Sequence, residues 1–312
     1  MYLIPSLNQR FLAYGARASI SSSSAEKEKA AQKKETHGWL KRVLDRVAQI
    51  QVPHSWFTHF YILSVSCSLL WAVEILRDGA LYKTAVSFVD PSRASMNIHQ
   101  VMLTWLLVLA QVTRRLLECL VLSRPSTSTM WIGHWVLGLL FYAGLSVAVW
   151  IEGVPALQEH RFSFKDLNVI GLAPSLRTFI AVLAFLFPSG IQHDCHAYLS
   201  SLKRSAAGSA NDAGSKEAED YKLPAHPAFH QLIAPHYFAE CLIYLSLTVL
   251  ATPKGDIERG TTGQWVNWTM ASALVFVIVN LGVTADSTKR WYEQRFGRAA
   301  VKGRWRMIPW LW

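Results

Sequence analysis

A histidine, a glutamate and a tyrosine follow one another at helical spacing in APHYFAECLIY, residues 234–244. His236 and Glu240 are one turn apart and Tyr244 is one turn further on, so a helix puts all three on one face. The residues that continue the segment, Leu242, Ile243, Leu245, Leu247, Val249 and Leu250, are apolar. A carboxylate at membrane depth costs about 3 kcal/mol on insertion scales, so an ionisable residue kept there is a candidate for function. Two other apolar stretches carry stripes of the same kind. AQVTRRLLECLVL holds Gln111, Arg115 and Glu118 at offsets of four and seven, with Arg114 beside them. PSGIQHDCHAYLSSLKR holds Gln192, His196 and Lys203 at offsets of four and eleven. One such stripe can simply join helices, at about 0.6–2 kcal/mol per hydrogen bond. Three stripes, two of them flanking the same 203–235 loop, point to a shared polar cavity.

His59 and Tyr61 lie in THFY, at the opening of the first apolar stretch. They are either interfacial anchors or donors that deliver a proton without carrying charge into an apolar site. HDCH at 193–196 has metal-ligand residue types, but its spacing fits no zinc pattern and no second cysteine pair lies nearby. No metal is expected. The four cysteines form no CxxC pair, which argues against a disulfide framework.

The elements that must position these residues are long and apolar. The chain has 312 residues, 51% hydrophobic and only 17% charged, with 13 Trp. A soluble domain carries about 25% charge. Six stretches approach the roughly 20 residues needed to cross a bilayer: about 57–77, 98–122, 130–151, 168–190, 236–252 and 264–285. Backbone at membrane depth must satisfy its own hydrogen bonds, so these are helices. The expected fold is an all-α, multi-pass integral membrane protein with six spans in residues 57–312. It is preceded by an N-terminal segment, 1–56, that includes the Ser/Lys/Glu-rich stretch 18–36. Residues 205–220 read as an exposed low-complexity insertion. No secretory signal peptide is evident.

The net charge is +10, from 31 Lys and Arg against 21 Asp and Glu. The excess clusters before the first span, after the fourth and in the tail. Positive loops favour the cytosolic side, which puts the tail and the 203–235 loop there. Some of these cations are also suited to a phosphate-bearing ligand. Nucleic acid is a poor reading, because the basic residues flank hydrophobic spans.

Five segments in order, VPHSWFTHFYILS, TRRLLECLVLS, QHDCHAYLSSLKR, APHYFAECLIY and the tail RWYEQRF…KGRWRMIPWLW, resemble the steroid 5α-reductase family. The nearest match is its polyprenol (polyprenal) reductase branch, which serves dolichol synthesis for protein N-glycosylation. The resemblance implies a seven-helix enzyme of the endoplasmic reticulum membrane that uses NADPH. Carried over by position, Gln192, His196, Lys203, Tyr221, His236, Glu240, Tyr292 and Arg304 are implied to hold the cofactor, with Pro224 beside Tyr221 in YKLP. A polyprenoid lipid in the bilayer is the implied substrate; the oligomeric state stays open.

Three departures from the family pattern matter. IPSLNQRFLAYGAR resembles the segment after the family's first helix, which implies that this chain begins beyond that helix. Lys289 and Arg290 stand where relatives often have His before the aromatic–Tyr pair. The steroid enzymes' acid–tyrosine pair is not evident: His59 falls about where their glutamate lies, and Gln111 or Val112 where their tyrosine lies. Hydride adds to a carbon–carbon double bond only when an electron sink polarises it, which an unsaturated aldehyde has and an allylic alcohol lacks. Polyprenal rather than polyprenol is therefore the expected substrate, with dolichal the product. His59, Tyr61 and Gln111 are the candidate carbonyl partners, and Glu118 with Arg115 orients them. Two rivals remain: an integral-membrane methyltransferase of the isoprenylcysteine type, using S-adenosylmethionine, and a non-catalytic lipid-binding homologue.

Overall fold

The computed structural model describes residues 46, 49–90, 96–122, 128–163, 166, 174–210, 222–253 and 266–312, with backbone only over 203–210. The described residues hold eight α-helices: α1 (Thr58–Leu76), α2 (Ala80–Val86), α3 (Ile98–Leu122), α4 (Ile132–Ala148), α5 (Val154–Glu159), α6 (Leu176–Ala210), α7 (Pro235–Ala251) and α8 (Trp268–Phe296). Six of these, α1, α3, α4, α6, α7 and α8, fall on the six apolar stretches. Among the described residues, four helical segments are long and apolar enough to cross a membrane: His54–Leu76, Ile132–Glu159, Leu176–Leu202 and Trp268–Phe296. The other two differ for local reasons. Helix α3 carries Arg114, Arg115 and Glu118, and α7 has 17 residues. The chain is an all-α membrane protein.

Two boundaries differ from the sequence expectation. The fourth stretch was expected to end near 190, but α6 continues to Ala210, so HDCHAYLSSLKR is one unbroken extension of the span. Its polar side chains end the hydropathy window without ending the helix, whose backbone bonds are internal wherever it lies. Likewise α8 continues to Phe296, carrying TKRWYEQRF beyond the apolar part. Residues 1–45, Tyr221 and the 254–265 connection lie outside the described residues.

A short ladder sets the register at one end of the bundle. Strands β1 (Gln51–Pro53) and β2 (Thr129–Trp131) pair antiparallel, Val52 opposite Met130. Each leads almost directly into a helix, so α1 and α4 start side by side. Helix α7 packs most extensively along α6 and next along α8, while α1 packs on α3 and α4. Ile243, Leu247, Leu250, Trp150 and Met270 are fully buried at the centre. Alternating helix directions then place every polar stripe at the same end.

The start of α8 is fixed by two side chains. Asn267 caps it, accepting from Met270 N at 2.9 Å, and buried Glu152 accepts from Thr269 N at 2.8 Å and Thr269 Oγ1 at 2.6 Å. The tail folds back on this helix. Trp305 N donates to Gln231 O (2.7 Å), Ile233 N to Trp305 O (2.8 Å) and Ala234 N to Arg306 O (3.1 Å), so the tail runs alongside the segment that enters α7. Met307 is fully buried next to Cys241, and the terminal Trp312 ring lies over Gly282.

A Cβ at Gly282 would come within 2.4 Å of the Trp312 ring. Gly282→Leu is therefore expected to expel that ring and destabilise the fold by about 1–3 kcal/mol. The measurement is the thermal midpoint in detergent. Removing Trp312 in the Gly282→Leu background should add little further loss, because both changes break one contact. An unchanged midpoint in Gly282→Leu would show that the tail does not seat there.

Candidate active site

The three stripes meet. Glu118 on α3 is 6% exposed and is reached by four donors. Arg114 and Arg115 pair with its two oxygens. His193 Nδ1 lies 2.8 Å from Oε1 and His196 Nδ1 lies 2.8 Å from Oε2. His196 Nδ1 is also 2.6 Å from Arg115 Nη1. One ring nitrogen cannot donate to the carboxylate and accept from the guanidinium at once. The proton on Nδ1 favours Glu118; the proton on Nε2 favours Arg115. Both histidines of HDCH thus turn to the same carboxylate, while Asp194 faces His226 at 3.4 Å and Cys195 is buried.

A second set joins α3 to α6 and α7. Gln111 Nε2 donates to Gln192 Oε1 (3.0 Å) and to Glu240 Oε2 (3.2 Å). Arg114 donates to Gln111 Oε1 (2.9 Å) and to Gln192, and Gln192 donates to Glu240. Arg114 joins the two sets, and Arg115 links the Glu118 set to the open space beyond. The Arg115 guanidinium sits 5.2 Å from the centroid of the Tyr61 ring, an arrangement that favours the cation.

That space is a cavity of about 190 Å³. Its polar wall includes Arg115, Gln192, His196, His236, Glu240 and Tyr61. Tyr61 is buried on α1, and its ring meets that of Tyr142 of α4 edge to face. The rings of Tyr61 and Tyr142 lie 5.3 Å apart, and those of His196 and His236 5.4 Å apart. His236 Nδ1 is buried without a hydrogen-bond partner among the described residues. The opposite wall is largely aromatic and aliphatic, from α4 and α8.

The candidates from the sequence divide accordingly. Tyr61, Gln192, His196, His236 and Glu240 line the cavity. Gln111 and Glu118 lie behind it, supporting Glu240 and Arg115. His59 is turned away from it, 5.4 Å from the Trp56 ring and 6.2 Å from that of Trp135. Tyr292 packs against Trp291 and Phe296. Arg304 donates to Pro224 O at 3.1 Å and accepts from Lys289 Nζ at 2.7 Å through its carbonyl. The Lys203 side chain and Tyr221 lie outside the described residues.

Some residues on the site gave no warning in the sequence reading. Tyr142 is one. Asn280, Thr284 and Ser287 on α8 are others; they line the cavity at offsets of four and seven, the same one-face signal as Gln111, Arg115 and Glu118. Asp286 is also buried, 2.5 Å from Arg306 Nε and 2.9 Å from Arg290 Nε. It anchors the tail to α8.

Residues 156–312, half of the chain, match the family model described as 3-oxo-5-alpha-steroid 4-dehydrogenase. The chain belongs to the steroid 5α-reductase family. The matched half contributes α6, α7, α8 and the tail, and so the Gln192, His196, His236 and Glu240 side of the cavity. Similarity extends further among curated relatives. Polyprenal reductase 2 of Oryza sativa subsp. indica is 25% identical over 307 residues, covering 85% of this chain and 80% of the relative. Polyprenal reductase of Homo sapiens is 25% identical over 262 residues, covering 78% and 73%. Polyprenal reductase of Xenopus tropicalis is 25% identical over 281 residues, covering 83% and 81%.

Proposed function

We propose that this chain reduces the α-isoprene double bond of polyprenal to give dolichal, with NADPH as reductant, in the endoplasmic reticulum membrane with its tail in the cytosol. The observation that carries the reading is the Tyr61 phenol, buried on the cavity wall beside the Arg115 guanidinium, with its ring packed against that of Tyr142. The relatives' names give the substrate class. As the double bond is reduced, negative charge gathers on the aldehyde oxygen. A positioned donor there contributes about 10²–10⁴-fold. Tyr61 Oη holds that proton, Tyr142 holds Tyr61 in place, and Arg115 stabilises charge that develops on the phenol. Gln111 and Glu118 act on this set from behind.

The cavity residues fit a nicotinamide. His236 Nδ1 is a buried polar atom without a partner, and Glu240 Oε1 has none among the described residues. One donor and one acceptor, a helical turn apart, suit a carboxamide, which offers a carbonyl and an N–H. Gln192 and His196 would flank it. The reductant, when bound, supplies the hydride. Exposed Lys222, Arg298 and Lys302 are suited to its phosphates, on segments that Arg304 ties together through Pro224.

The test is purified protein in detergent with NADPH and either polyprenal or polyprenol, following NADPH absorbance and the lipid product. Oxidation with polyprenal and none with polyprenol is the expected result. Inactivity with both, together with binding of S-adenosylmethionine, would overturn the reading in favour of a methyltransferase.

A further inference from the structure

The cavity is too small for the substrate proposed for it, and this decides where the rest of that molecule must lie. Sites for drug-sized ligands enclose about 300–1,000 Å³; this one encloses about 190 Å³. A polyprenyl chain has to leave it. The helices around the cavity are not equally closed. Helices α6 and α7 pack along their length, as do α7 and α8, whereas α4 and α8 touch far less. Along that seam the cavity reaches the outer surface. Leu137 on α4 lines the cavity and is 43% exposed, and Asn280 on α8 lines it and is exposed as well. The flanks outside, Leu140, Val275 and Val279, are exposed aliphatics suited to lipid.

An aromatic stack bridges the seam. Phe141 of α4 and Phe276 of α8 stack with ring centroids 4.6 Å apart and planes 14° apart. Phe141 also lies 6.0 Å from Tyr244, on the α7 wall. The pair therefore stands between the polar end of the cavity and the bilayer, and two rotatable rings can part without moving a backbone. Asn280 adds a second sign. It lies about 18 Å along α8 from the helix start at 1.5 Å per residue, deep in the span. Its side-chain amide has no hydrogen-bond partner among the described residues. An uncompensated polar group at that depth is costly and marks a path.

We infer that the α4–α8 seam is a lateral portal, through which the isoprenoid tail of the substrate passes into the bilayer, with Phe141 and Phe276 as its threshold. This rests on the proposed polyprenal activity. It sets no limit on chain length, since every isoprene beyond the threshold lies in lipid.

Two plugs on the lipid side of the seam, outside the cavity lining, test it, Leu140→Trp and Val279→Trp, with Leu70→Trp on the lipid face of α1 as control. The substrates are a long polyprenal and geranial, which has the same reacting unit and a single isoprene beyond it. Each plug is expected to lower kcat/KM for the long aldehyde about tenfold or more, while geranial stays within about twofold and the control is unchanged. Equal effects on both aldehydes, or none, would overturn the portal. A turnover-independent readout accompanies it: a photo-crosslinking residue at 137 or 280 should capture a long-chain isoprenoid, and one at 70 should not. If wild-type protein reduces neither aldehyde, the proposed activity fails, and the capture pattern alone decides the portal.

Discussion

Tyr61→Phe is expected to lower turnover of polyprenal by about 10²–10⁴-fold while leaving NADPH binding nearly unchanged. The substitution removes one oxygen and keeps the ring, so the packing of Tyr61 against Phe57 and Tyr142 and its contact with Arg115 survive. What is lost is the proton at the place where the aldehyde oxygen gains charge. The effect should appear in kcat, with KM moving little, because the hydroxyl is worth more in the transition state than in the bound ground state. His59→Ala is the informative contrast. His59 faces Trp56 and Trp135 rather than the cavity, so its loss should change turnover by no more than about twofold. Rates measured under single turnover, with product quantified, separate chemistry from release. Full activity in Tyr61→Phe would remove Tyr61 from the chemistry and leave Arg115 or a bound water as donor.

The contrast between His59 and Tyr61 also shows where sequence reading stops. Two residues apart on a helix means about 200° of rotation, so the two side chains leave α1 on opposite sides. Helix α1 is apolar all round, and no periodicity says which side faces the bundle. Only packing against α3 and α4 decides it. The three charged stripes were legible because a polar group in hydrocarbon needs a partner, and the partner had to be another stripe. The α8 stripe hid for the opposite reason. Thr284 Oγ1 and Ser287 Oγ donate to Asn280 O and Val283 O, one turn back, so both look self-sufficient within their own helix. The six apolar windows anticipated six helices, but hydropathy measures where lipid ends, not where a helix ends. Helix α6 therefore overran its window by about five turns and carried His193 and His196 rigidly to Glu118. The return of the tail, with Trp312 over Gly282, depends on contacts about thirty residues apart and has no local signature.

Glu118→Ala is expected to be the most damaging change to stability in the bundle, about 3–5 kcal/mol. Two effects compete here. Burying a carboxylate among apolar helices is unfavourable, so its removal could in principle help. Yet Arg114 and Arg115 remain, with side chains 24% and 14% exposed, and Glu118 is the carboxylate that pairs with both. Uncompensated cations in that setting cost more than the carboxylate did, and the second effect wins. Glu118→Gln keeps an acceptor of similar shape but not the charge, so it should fall between wild type and Ala. The measurement is the unfolding midpoint in detergent, read beside the turnover of whatever fraction remains folded. If Arg115 is held in place by Glu118, the Gln variant should lose activity out of proportion to its lost stability, because the guanidinium no longer faces Tyr61 with a fixed geometry. An Ala variant as stable as wild type would mean that the arginines find water or lipid phosphate instead. The polar cluster would then be a wet vestibule rather than the closed support of the site.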